Sequence, residues 1–131
     1  MNQSTRENFD RQLEAVLAEL PQQVHDLLER IPLIVEDYPS ERMLHDVGLK
    51  HRSDLCGLYR GRNILQRSID DSGIPSDVVY LFRLGLMREA ESIAGKPSNS
   101  ELREQIRITI LHELGHHHGL DEDDLDELGY G

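Results

Sequence analysis

Residues 107–119 read Arg-Ile-Thr-Ile-Leu-His-Glu-Leu-Gly-His-His-His-Gly, and this stretch decides which fold and which chemistry to expect. Residues four apart on a helix lie on one face, about one turn from each other. His112 and His116 would therefore point the same way, and Glu113 lies one step further round the helix. Two imidazoles that grip one metal ion, with a carboxylate beside them to act as a base, are what a zinc hydrolase needs.

The context of this His-Glu-x-x-His motif favours a metal site. The residues before it are mostly apolar, so the helix enters the motif from a buried environment, as zinc helices of hydrolases do. The alternative is that ordinary surface histidines and a glutamate match the pattern by chance, but a solvated helix would lack the apolar approach. Thr109 and Gln105 share the face of His112 and are candidates for hydrogen bonds that orient the ligands.

The third ligand is expected after the helix. Gly119 follows His116 by three residues, and glycine readily adopts the positive φ at which a chain leaves a helix and folds back. Glu122 has the spacing at which one large group of zincins places its third ligand, and carboxylate oxygen is an ordinary zinc ligand. Asp121 and Asp123 are adjacent alternatives, so the predicted set is His112, His116 and Glu122 for Zn²⁺.

Length and charge limit the classes of function. The chain has 131 residues and a formal net charge of −11, which fits one domain over residues 1–131. Such a charge disfavours a nucleic-acid binder or a protein of anionic membrane surfaces, because both need clustered Lys and Arg. The amino-terminal residues lack the apolar core of a signal peptide, so we expect a cytoplasmic protein. Cys56, between Leu55 and Leu58, is expected to be a core thiol.

The spacing of apolar residues, together with the positions of proline, glycine and capping residues, predicts helices interleaved with short strands. An apolar stripe from Phe9 to Leu20 predicts a first helix, and Pro21 leaves two helices or one kinked helix as equal choices. Val78–Phe82 is the strongest strand signal. Other predicted strands are Leu33–Asp37 and Leu55–Tyr59; other predicted helices are Ser40–His45, Leu84–Ala94 and 99–118, the last with a Ser98–Glu101 capping box; residues 62–75 are predicted to be mostly loop. The order indicates an α+β domain.

The motif resembles that of the small bacterial zincin-like metallopeptidase family. The similarity extends to residues 33–37, 55–61, 79–83 and 124–130, and so to nearly the whole chain. It implies a minimal zincin-like fold, in which a small mixed sheet packs on helices around a central active-site helix, with an edge strand beside the cleft. It also implies that His112 and His116 are metal ligands, that Glu113 is the base, and that an acidic residue near Glu122 stands where larger metzincins have histidine.

The expected activity is hydrolysis of peptide bonds through a zinc-activated water, with peptides or proteins as substrates. An extended peptide would add to an edge strand, for which Val78–Phe82 is the candidate. The alternative is a non-catalytic zinc-binding or protein-interaction domain that retains the zincin fold. A metal-dependent nuclease is a weaker possibility, disfavoured by the acidic balance. The oligomeric state stays open.

Overall fold

The computed structural model describes residues 1–61 and 77–117, apart from the side chains of His116 and His117. It combines helices with a small sheet, which confirms the α+β class. The predicted loop over residues 62–75 lies outside the described residues. The helices are α1 (Gln3–Glu19), α2 (Gln22–Arg30), α3 (Glu41–Val47), α4 (Arg83–Ala94) and α5 (Asn99–His117); the strands are β1 (Leu33–Glu36), β2 (Gly57–Gly61) and β3 (Asp77–Phe82); a 3₁₀ turn spans Arg52–Asp54.

The three strands of the described part form one mixed sheet in the order β1-β3-β2. β1 pairs parallel with β3, and β2 pairs antiparallel with β3. The prediction that Val78–Phe82 is an edge strand is therefore wrong, because β3 lies in the centre. The neighbours Leu81 and Phe82 point to opposite faces and are both fully buried. Both rows of β3 backbone groups are already paired, one with β1 and the other with β2, so this strand offers no free edge to a peptide.

Local capping signals set the helix ends. Pro21 precedes α2 in an extended conformation, so the choice of two separate helices is the one observed. The hydroxyl of Ser40 accepts a hydrogen bond from the Met43 amide at 3.1 Å, and α3 ends at Gly48 with φ 76°. The Glu101 amide donates to the Ser98 hydroxyl at 3.2 Å, which is one of the two hydrogen bonds of the predicted capping box.

The core is built around α5, which packs against α1, α4 and strands β2 and β3. This position confirms the expected central helix. Phe9 of α1 and Leu86 of α4 are fully buried against it. No helix of the described part is long and apolar enough to cross a membrane. The buried apolar residues of α5 are Leu102, Ile106, Ile110, Leu111 and Leu114.

An ionic cluster ties α1 to the ends of the two parallel strands. Asp37 follows β1 and accepts hydrogen bonds from Arg6 and from Arg83, which begins α4 directly after β3. Arg83, whose side chain is only 14% exposed, also pairs with Asp10 at 3.0 Å. Because these partners come from three distant segments, the cluster holds α1, β1 and α4 in one arrangement.

Candidate metal centre

The His-Glu-x-x-His motif lies on a part of α5 that has one face in the core and another at the surface. Ile110, Leu111 and Leu114 are buried, whereas His112 is exposed and Glu113 is half-buried. The backbone is helical through His117, so residue 116 lies about one turn beyond residue 112. The structure thus places the first predicted ligand and the predicted base side by side on an accessible face of a helix that is anchored in the core.

The rest of the predicted ligand set is not described. The side chain of His116, the favoured third ligand Glu122 and its alternatives Asp121 and Asp123 all lie outside the described residues. Among the side chains that the structure does describe, no three His, Cys, Asp or Glu residues are close enough to share a metal ion. The ligand set therefore stays a prediction.

Strand β2 lies directly against the helix that carries the motif. The α-carbon of Gly57 faces Thr109, and a β-carbon built at Gly57 would lie 2.5 Å from the Cγ2 methyl of Thr109. Thr109 precedes His112 by three residues, or about one turn of α5. The edge strand next to the motif is therefore β2. Sequence reasoning missed this contact, although a glycine inside a strand pattern often marks the close approach of another segment.

The hydrogen-bond register shows which backbone groups of β2 face outward. The Phe82 amide donates to the carbonyl of Cys56 at 2.9 Å, so these two residues form a bonded pair. Bonded and non-bonded pairs alternate along an antiparallel ladder. Gly57, paired with Leu81, is therefore in a non-bonded pair, and its N–H and C=O point away from β3. Within the described part of the chain that outer side of β2 is an edge of the sheet.

The residues proposed to orient the ligands have other contacts. The Gln105 amide donates to the Glu101 carboxylate at 3.0 Å, one turn back along α5. The methyl group of Thr109 faces the backbone of β2 at Gly57. The structure thus shows a packing role for the Thr109 methyl next to the motif.

Cys56 behaves as the core thiol that was expected. Its side chain is half-buried and packs against the hydrophobic core. Burial, together with the negative charge of Glu89, raises the pKa of the Cys56 thiol to about 11. Because the thiolate is the nucleophile, the raised pKa lowers the reactive fraction of this cysteine near neutral pH.

A family comparison agrees with the predicted resemblance. Residues 28–131, which are most of the chain, match the family model described as zincin-like metallopeptidase. The matched range contains all three strands and the whole of α5. No curated protein matches the chain.

Proposed function

The chain belongs to the zincin-like metallopeptidase family, and we propose that it is a zinc-dependent peptidase. In this proposal His112, His116 and Glu122 hold the metal ion and Glu113 is the general base. The observation that carries it is the placement of the motif, since His112 is exposed and Glu113 half-buried on a helix whose opposite face is fixed in the core. Two imidazoles and a carboxylate are a donor set that suits zinc.

Bound zinc supplies Lewis-acid polarisation of a carbonyl and makes water acidic enough to lose a proton near neutral pH. The proposed role of Glu113 is to accept that proton on a carboxylate oxygen and to pass it to the departing amine. A half-buried position suits this role, because the carboxylate is held by its helix yet reachable from the surface. α5 supplies rigidity, since the helix on the amino-terminal side of the motif is packed on several sides.

The outer edge of β2 supports a peptide as the substrate. An extended peptide that adds to a sheet edge forms main-chain hydrogen bonds whatever its side chains are. Gly57 directs its N–H and C=O to that edge, and the strand lies against α5 one turn before His112. A peptide paired with β2 would therefore run beside the motif.

Glu113→Gln tests the role of the base. The amide cannot accept the proton, so we expect peptide turnover to fall by about 10²–10⁴-fold, the usual contribution of a general base, while zinc content is retained. The measurement is zinc by elemental analysis and new amino groups released from a peptide library, both with tag-free protein. Glu91→Gln, at an exposed glutamate of α4, is the matched control and should keep full turnover.

His116→Ala tests the ligand role in the same assays, and we expect it to lose both zinc and turnover. Undiminished turnover in Glu113→Gln would refute the assignment of the base. Zinc in the wild-type protein without any cleavage would favour the alternative, a zinc-binding interaction domain that retains the fold.

A further inference from the structure

We propose that Gly57 is a positioning residue, whose missing side chain lets the outer edge of β2 lie close enough to α5 for one peptide to reach both. The inference rests on the proposed peptidase function. It assigns to a strand residue, outside the His-Glu-x-x-His motif, the alignment of an extended substrate with that motif.

The space at Gly57 is closed on two sides. A β-carbon there would lie 2.5 Å from the Thr109 Cγ2 atom and 3.0 Å from the carbonyl oxygen of Tyr80. The Thr109 side chain is short and β-branched, so only a change of its χ1 angle could move the methyl group, and the Tyr80 oxygen belongs to the backbone of the central strand. Ordinary contacts begin at 3.4 Å, so an alanine would push β2 and α5 apart by about 1 Å.

One residue thus has two contacts that matter for alignment. The α-carbon of Gly57 faces the helix that carries His112 and Glu113, and its N–H and C=O face the edge where a peptide would pair. Any change in the spacing between β2 and α5 is transmitted directly to a peptide bound along β2. The motif itself stays in place, because α5 is held by its own buried residues, such as Ile106 and Ile110.

The consequence depends on the length of the substrate. An extended peptide must satisfy β2 and the motif at the same time, and a displacement of about 1 Å from the reactive geometry can cost roughly 10²-fold in rate. A blocked dipeptide is too short to pair with β2 and meets the motif alone. Gly57→Ala should therefore penalise the extended peptide selectively.

The experiment compares two substrates with the same scissile bond, a hexapeptide and a blocked dipeptide. The readout is the kcat/KM of the hexapeptide divided by the kcat/KM of the dipeptide. This ratio does not depend on the fraction of active protein. In Gly57→Ala we expect this ratio to fall by about 10–100-fold, with zinc content unchanged and little change for the dipeptide. Thr109→Ser alone measures the effect of losing the methyl group and is the reference for the double variant, and Glu91→Gln, at an exposed glutamate of α4, is the control that should keep the wild-type ratio.

The double variant Gly57→Ala/Thr109→Ser should recover most of the ratio, because serine lacks the methyl group that makes the shorter contact with the new β-carbon. The remaining contact, at 3.0 Å from the Tyr80 oxygen, needs a shift of only a few tenths of an ångström. An unchanged ratio in folded Gly57→Ala would overturn the inference, and so would a lowered ratio that the double variant does not restore. If Gly57→Ala does not fold, the double variant decides alone: folding with a wild-type ratio supports the inference, and failure to fold or a lowered ratio overturns it. Absence of cleavage of both substrates by the wild type would instead refute the proposed peptidase, and the inference with it.

Discussion

Gly85→Ala tests the packing contact that positions β2. Two physical arguments predict opposite effects of this substitution on the free energy of unfolding. Gly85 lies inside α4, where helix propensity alone predicts that alanine stabilises the protein by about 1 kcal/mol. The structure predicts the reverse. A β-carbon at Gly85 would overlap the carbonyl oxygen and carbon of Leu55 and lie 3.2 Å from the amide nitrogen of Cys56.

The size of the effect follows from what has to move. All three neighbouring atoms are backbone atoms of the segment that leads into β2, so no side-chain rotation relieves the overlap. Overpacking costs typically 1–3 kcal/mol, and a backbone overlap belongs at the upper end, about 3 kcal/mol. With about 1 kcal/mol of helix propensity subtracted, we expect the free energy of unfolding to fall by about 2 kcal/mol.

Urea unfolding followed by circular dichroism measures this change. With a slope of about 1–3 kcal/mol per molar urea, the midpoint of Gly85→Ala should fall by roughly 1 M. Ser92→Ala, at an exposed position of the same helix, is the control in which propensity acts alone, and its midpoint should rise slightly. A midpoint for Gly85→Ala equal to or above that of the wild type would refute the reasoning.

Two further predictions concern titratable groups. Hydrogen bonds from Arg6 and Arg83 hold the pKa of Asp37 below its ordinary value of 3.8, so the stability that Asp37 contributes is present above pH 3.8 and is lost as the pH falls through the lowered value. Asp37→Asn should therefore be less stable than the wild type at pH 7, and its stability should fall less between pH 7 and pH 2. Urea midpoints at both pH values measure this difference, and an equal fall in both proteins would contradict the argument. Because the pKa of the Cys56 thiol is raised to about 11, iodoacetamide should alkylate the native protein at pH 8 much more slowly than the urea-unfolded protein, and equal rates would contradict the buried position.

Helix positions were predictable because their signals are local. The apolar period and the Ser98–Glu101 box place α5 over 99–118 from sequence, against Asn99–His117 in the structure. Gly48 and Gly95 end α3 and α4 with positive φ, and a glycine just after a helix is a local signal of the same kind. Cap residues act within one turn of the helix end, so they need no knowledge of the tertiary fold.

Strand order was not predictable with equal ease, because pairing partners are distant in sequence. β2 begins at Gly57 rather than at the predicted Leu55, since Leu55 and Cys56 are held against Gly85 of α4. For β3 the signal was present but misinterpreted. An unbroken apolar run such as Val78–Phe82 is typical of a strand buried on both faces, which favours the centre of a sheet.

The candidate site also has one part that local signals predict and another part that depends on contacts between distant residues. Spacing within one helix was enough to predict that Glu113 lies one step round α5 from His112, and the structure adds that His112 is exposed and Glu113 half-buried. The predicted third ligand follows Gly119 in the sequence, where several adjacent carboxylates are chemically equivalent, so spacing alone does not choose among them. The contact between Gly57 and Thr109 joins residues far apart in sequence, so no local pattern identifies the partner even where the strand glycine is noticed.

The position of β2 depends more on glycines than on large side chains. Leu58 and Tyr59 are only half-buried, so apolar burial gives this short strand a weak anchor. Its further constraints include the ladder to β3, the hydrogen bond from the Tyr59 hydroxyl to Asp77 and the ion pair of Arg60 with Asp46. Two close approaches add to these, of α4 to Leu55 at Gly85 and of α5 to Gly57 at Thr109. Both approaches bring a helix to the backbone at a distance that only glycine permits. The edge that would meet a peptide is thus positioned by two helices that pack on each other, and a change in packing at Gly85, unlike one at an exposed position of α4, should reach a bound peptide through β2.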